Sequence, residues 1–527
     1  MYKSAVAAFL VFMSVGLAGP PLPKPEEVSA RLDAAFQSSW KNQNLAAESA
    51  ADDATFMRRV WLDLAGTVPP PLVARDFLAS KEADRRARVI DELLESDAFA
   101  DHWARVWTTN LTGKRPIKFE KYDGRVLQEF LKDSFAANKP YGQTVSELIC
   151  GEGLSESSGP ANFLLRYEAK PTDLAGAVAK SFLGTSLQCA QCHNHPFENW
   201  KKDDFWGVAA YFARVRMLEY AADDQYLTSL QETRRGELQV PDADAKPAED
   251  GTQPKKKIQP RIPGEEVPAA QAKRRPTLAR WVTSPDNPYF ARHTVNQVWT
   301  QLFGRPLGKV RNKEVDEDPD VRRDVWEMLT NDFKASDYDF KRLVRIIATT
   351  KTYQLSAGGT DTEAGDSNED LHHQKLNQFV RFPTRTLSVD QVYRAVVQAT
   401  GHTGDPEPEQ PKPGADADPP EADGTADHPS DLLGGERGQT VQRALALLNG
   451  EYVHQAALSG AKLTLKVNGQ KVGADHIEWI FLATLSRKPT KDESAAMLKL
   501  AAANKGAAGL EDVWWVILNS AEFNTNH

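Results

Sequence analysis

Apolar side chains recur at helical spacing along most of this chain, and that period is its strongest constraint. In Asp84–Trp107 (DRRARVIDELLESDAFADHWARVW) the residues Val89, Ile90, Leu93 and Leu94 fall on one stripe, with Arg and acidic residues opposite. The stretch 172–184 (TDLAGAVAKSFLG) repeats the pattern, with Thr172 placed to cap its start and Gly184 to stop it. In 203–215 (DDFWGVAAYFARV) the residues Phe205, Ala209, Phe212 and Val215 align. Helical pattern resumes at 276–304, runs on through 320–356, and returns from Thr440 to the end. The 12 tryptophans lie largely within these runs, where core packing is the simplest reading. The spacing therefore predicts a mostly α protein.

Two composition breaks interrupt the helices. Residues 236–277 are rich in Pro, Lys, Glu and Ala, and contain the β-like fragments GELQV and KIQPRI, which suit a loose hairpin or linker. Residues 404–431 hold seven prolines and nine acids against one lysine, the composition of a disordered, solvated insertion. At 58.4 kDa the chain exceeds what one compact core usually holds. These breaks predict two helical lobes, 24–235 and 278–527, joined across the small β-like linker 236–277 and carrying long polar insertions.

Residues 1–19 have the layout of a secretory signal. Lys3 precedes an apolar run from Ala5 to Leu17, and Gly16, Ala18 and Gly19 lead into prolines. The expected location is periplasmic or extracellular, with no later segment apolar enough to cross a membrane. A net charge of −9 argues against nucleic acid as a partner.

Export bears on the cysteines, of which there are only three. A disulfide scaffold needs more. Cys150 reads as a small buried hydrophobe. The other two stand in Ser186–Trp200 (SLQCAQCHNHPFENW), where Cys189, Cys192 and His193 form Cys-x-x-Cys-His. That is the attachment signature of c-type haem. Two thiols one turn apart can each add to one haem vinyl group, and the following imidazole is the proximal iron ligand. His195 is expected to orient a propionate or a carbonyl, or to act as an alternative ligand. Met217 is the nearest methionine beyond the motif and the candidate distal ligand, but for it, as for His102 and His293, a packed or surface role is the plainer reading. Three rivals remain open: a zinc ion, which needs further ligands at wider spacing; a redox disulfide, which wants a βαβ setting; and a structural disulfide, with no cofactor at all.

Several stretches resemble a known family. FMRRVWLDLAGTVPPP, the motif through GVAAYF, and NPYFARHTVNQVWTQLFGRPL are similar to large secreted proteins of planctomycetes and related bacteria. These pair domain-of-unknown-function families 1549 and 1553, often beside a cytochrome c-like domain. DFKRLVRIIATTKTYQLS, ALALLNGEYVHQAA and FLATLSRKPTKDE resemble later blocks of the second family. The resemblance implies an extracytoplasmic, mostly helical protein in which Cys189, Cys192, His193 and His195 match the family's own block.

Three functions follow as expectations. The first is a mono-haem electron-transfer protein with an exported redox partner. The second is a carbohydrate-active hydrolase or accessory protein acting on a glycan or other small molecule. Its carboxylates would come from Asp63 and from Glu314, Asp316, Glu317 and Asp318, although a helix cap for Asp63 and a solvated loop for the others are the plainer readings. The third is a non-catalytic scaffold.

Overall fold

The computed structural model describes residues 21–113, 118–119, 122–195, 200–222, 225–242, 245–247, 249–269, 271–308, 321–358, 369–404, 450–504 and 506–527. The signal-like segment 1–19, the acids Glu314 to Asp318 and nearly all of 404–431 therefore lie outside the described residues.

Helices dominate, and the sequence periods explain them. In Pro25–Asn42 the buried residues Val28, Leu32, Phe36 and Trp40 recur every fourth position, with Glu26 and Glu27 in the first turn and Lys41 in the last. That helix packs on Val321–Ala335 and on Phe340–Thr349. In Phe340–Thr349 the Asp339 side chain caps the Arg342 amide at 2.9 Å. In Arg85–Leu94 the stripe of Val89, Ile90, Leu93 and Leu94 is buried as its spacing predicts. Many of the tryptophans are core, with Trp103, Trp107, Trp299, Trp326 and Trp514 fully enclosed. Trp107 gains a polar anchor by donating to the Tyr141 hydroxyl at 2.7 Å, so its N–H is not stranded among apolar groups.

Strands are short. The expected hairpin in 236–277 exists: Leu238–Pro241 pairs antiparallel with Lys255–Ile258, Leu238 opposite Ile258. A second small sheet precedes it in a region read as helix. Val215–Ala222 pairs with Gln225–Glu232, which also pairs with Gly153–Leu154. Val215, aligned by spacing with the helix before it, instead opens this hairpin, because Lys202–Tyr211 ends one residue before Phe212.

The stretches on either side of 236–277 share apolar packing. One continuous apolar core runs from Val28 to Phe382, spanning that segment. A second core gathers residues from Leu387 to Phe523 and takes in Leu62 and Val68 from the N-terminal part. Residues 236–277 are thus an excursion from the first core. Helix Arg275–Val282 returns to pack on Tyr141–Cys150. Charges pin the return: buried Arg275 meets Glu232 at 3.0 Å and the Gly151 carbonyl at 2.8 Å, while Arg274 meets Glu237 at 2.7 Å. Cys150 sits beside this pair, and burial pushes its thiol up to about 11, so it stays protonated and unreactive.

Candidate functional site

The helix leading to the motif starts at Pro171, a position where the missing N–H is harmless. Thr172 is not its cap; its hydroxyl bonds Asp173 at 3.3 Å, and Lys170 holds the cap position. After Val178 the helix widens into one π turn, Ala179–Leu183, and stops at Gly184 with φ +68°. A side chain at Gly184 is excluded twice. The left-handed φ disfavours it, and a Cβ would lie 2.4 Å from Nδ1 of His293. His293 is buried under this turn with its ring hydrogen-bonded to the Ser181 backbone. Gly66 (φ +69°) repeats the device, its Cβ position 2.2 Å from Nδ1 of His102. Gly184→Ala should therefore lower stability by about 1–3 kcal/mol. Urea unfolding would read this, and an unchanged midpoint would show that the turn relaxes freely.

The motif itself is a single 3₁₀ turn, Leu187–Gln191, packed on the flanking helices Pro171–Val178 and Lys202–Tyr211. Side chains three apart eclipse in a 3₁₀ turn. Leu187 and Ala190 are such a pair, and both are buried. Cys189 lies within this turn, and Cys192 is the residue that ends it. Cys189 is half-buried, Cys192 is exposed, and the sulfurs are not joined to each other. The Ser186 hydroxyl lies 3.8 Å from the Cys189 sulfur.

His193 follows, exposed, with Nδ1 2.7 Å from the Asn194 carbonyl. A carbonyl only accepts, so Nδ1 is the donor in this contact, and in the neutral ring the lone pair then sits on Nε2. The loop beyond is tied at three points. The Trp206 indole donates to the Gln191 carbonyl at 3.2 Å, the Lys202 amide to Asn194 Oδ1 at 3.0 Å, and the His195 amide to the Trp200 carbonyl at 2.8 Å. His195 is half-buried within this loop. Met217 faces Leu230 across the hairpin and packs half-buried on the first core, whereas the motif turn packs on helices. Among the described residues no group of three His, Cys, Asp or Glu is arranged to hold a metal ion.

These residues suit a covalently held haem on the chemistry of the donors: two free thiols three positions apart at one short turn, then an exposed imidazole. They also limit it. Cys192, His193 and Asn194 are exposed, so the turn supplies cover on one side only.

The remaining candidates have other roles. His102 and His293 are buried and neutral, pushed down by burial to about 3 and about 4. Both values lie below the unfolded ~6.5, so the unfolded chain takes up protons first as pH falls. Their stabilising contribution is complete above about pH 6.5 and shrinks toward pH 4, by roughly 3 kcal/mol for His293 alone. Urea midpoints measured from pH 7 to pH 4 should fall less in His293→Gln than in the parent. Parallel curves would contradict this account of the ring.

Asp63 is neither a surface acid nor a helix cap. It lies near the C-terminal end of Asp53–Leu64 and is fully buried. It accepts from the Tyr353 hydroxyl at 2.6 Å and Asn526 Nδ2 at 2.7 Å, and forms an ion pair with Arg385. Around it, Arg58 donates to the Thr484 and Phe523 carbonyls, both at 2.6 Å, and Arg59 to the Leu355 carbonyl at 2.9 Å and the His527 carbonyl at 3.1 Å. Burial lowers Arg59 to about 9, and Arg58 and Arg385 to about 10, so all three remain charged at neutral pH. Sequence inspection missed this hub. The signal available was the pair Arg58-Arg59 set between apolar Phe56, Met57 and Val60 and followed by Asp63 one turn later.

With this geometry in view, comparison with known proteins assigns the two halves of the first core. Residues 31–217 match PSCyt2, a protein family of unknown function (DUF1549), and residues 274–429 match PSD1, a second family of unknown function (DUF1553). The chain belongs to this pairing. The PSCyt2 segment encloses the motif, and the PSD1 segment supplies His293 beneath the Gly184 turn that precedes it. The PSD1 match ends at residue 429, so the blocks at 444–457 and 481–493 lie beyond it. No curated protein and no solved structure matches the chain. Among the described residues no helix is long and apolar enough to cross a membrane.

Proposed function

We propose that this PSCyt2–PSD1 protein is an exported c-type haem protein that passes single electrons to an extracytoplasmic redox partner. Cys189 and Cys192 would hold the group through thioethers, and His193 would bind iron through Nε2. One observation carries the reading: the Nδ1 hydrogen bond to the Asn194 carbonyl, which directs the lone pair to Nε2 on an exposed ring beside two free thiols. When bound, the haem supplies reversible one-electron chemistry at iron. The chain's own share is orientation. The ties at Gln191, Asn194 and Trp200 hold the His193 backbone, and the Gly184 turn sets where the thiols begin. The family name PSCyt2 agrees with a cytochrome context. His195 serves the same loop as a supporting group, and Met217 is a weaker choice for a sixth ligand because it packs with the sheet.

The decisive measurement is visible absorbance of protein matured outside the cytoplasm together with a haem-attachment system. A Soret band that survives denaturation and acid–organic extraction is the expected result. Matured protein without the band, carrying a Cys189–Cys192 disulfide or stoichiometric zinc on its thiolates, would replace this reading by the structural or the metal one.

A further inference from the structure

The loop that follows the motif ends at a cleft of about 580 Å³, within the range of small-molecule sites, roughly 300–1,000 Å³. Three separate parts of the chain build it: Trp200 and Asp204 after the motif, Glu265 after the ribbon, and the turn from Trp281 to Tyr289. It thus joins the PSCyt2 and PSD1 segments and the polar excursion between them.

Its walls are held in place before any ligand arrives. Asn287 is buried and clamps the turn, donating to the Trp281 carbonyl at 3.0 Å and accepting from the Tyr289 amide at 2.9 Å. Tyr289 lies against Trp200, ring centres 5.7 Å apart and tilted by 32°. Asp204 is fixed by Arg261 at 2.9 Å, and Glu265 by Arg280 at 3.3 Å. Exposed Asp286 has Lys334 within electrostatic reach.

The chemistry of this lining selects a ligand class. Aromatic rings offer faces for C–H groups, and planar polar side chains offer directional acceptors and donors. Each carboxylate already has a cation near it, so the cleft carries little net charge to attract an ammonium ion or a phosphate. The half-buried aromatic side chains Trp281 and Tyr289 beside charge-balanced hydrogen-bonding groups fit a neutral sugar, with one face apolar and a rim of hydroxyls. We infer that this cleft is a saccharide-binding site, taking a short neutral glycan segment between Trp281 and Asp286. The inference concerns binding and not bond cleavage, and it is independent of the haem reading.

Binding of β-1,4-linked glucose, mannose and xylose hexamers to the full chain, read by calorimetry and tryptophan fluorescence, tests it. At least one hexamer should bind saturably, and Trp281→Ala should weaken it about tenfold. Because Trp281 is half-buried, Asp286→Ala is the companion variant; this exposed side chain should lower affinity severalfold without moving the unfolding midpoint. No saturable binding by any hexamer overturns the proposal. So does hexamer affinity untouched by both variants, or saturable binding of choline with none of the hexamers. Haem content measured on the same preparations keeps the outcome separate from that of the motif.

Discussion

Replacing Cys189 and Cys192 together by alanine should abolish covalent haem, leaving the denatured chain at its polypeptide mass with no haem-stained band. The effect is all-or-none because no other described side chain can substitute: Cys150 is half-buried beside Arg275 and Glu232, with a thiol held protonated. Either single variant should retain one thioether at lower yield. Cys192 is exposed and Cys189 half-buried, so losing Cys192 removes the more accessible attachment point and should reduce loading more. His193→Ala separates attachment from ligation. It keeps both thiols and removes Nε2, so haem mass should persist while the visible spectrum changes through loss of the imidazole ligand. One-sided cover also implies a solvent-exposed haem, whose reduction potential should respond to ionic strength. Parent protein that matures without haem mass, in the presence of an active attachment system, would end the proposal.

Asp63→Ala is expected to be the most destabilising single change in the polar interior, by about 3–5 kcal/mol. Three arginines converge there, Arg58, Arg59 and Arg385, and Asp63 is the carboxylate paired with Arg385. Its removal leaves that guanidinium without its counter-ion and deprives Tyr353 and Asn526 of an acceptor. Domains are typically stable by only about 5–15 kcal/mol, so the loss should be plain in a urea titration. It should fall on the joint between the two cores, because Asp63 belongs to a helix of the first while Asn526 pairs with Arg385 at the edge of the second. Asp63→Asn keeps an acceptor oxygen and should lose less. A hydrolase role for Asp63 would give the opposite pattern, with stability retained and turnover lost. An Asp63→Ala protein as stable as its parent would mean that the arginines are satisfied elsewhere.

The helical period carried most of the fold. Val89, Ile90, Leu93 and Leu94 are buried because an amphipathic stripe has one low-energy way to leave water. The hairpin of Leu238–Pro241 and Lys255–Ile258 was legible from its fragments. The strands Val215–Ala222 and Gln225–Glu232 were not, since Val215 continues the apolar spacing of the helix before it although that helix ends at Tyr211. That both sides of 236–277 would share one core was not legible for a related reason. A polar, proline-rich stretch signals departure from a core, but composition does not say whether the chain returns to the same core, and here Arg274 and Arg275 bring it back.

At the site, the sequence alone determined which groups are available: two thiols three residues apart, an adjacent histidine, and a glycine to end the helix before them. Spacing along a chain is a local property, and local chemistry follows from it. Only the tertiary structure decided that His293, about a hundred positions away in the PSD1 segment, lies beneath the Gly184 turn, and that Asp63 meets Arg385 and Asn526 rather than solvent. It also decided that Trp200 and Trp281 line one cleft. Contacts between distant segments arise from how whole stripes bury against one another, and that packing depends on every helix at once.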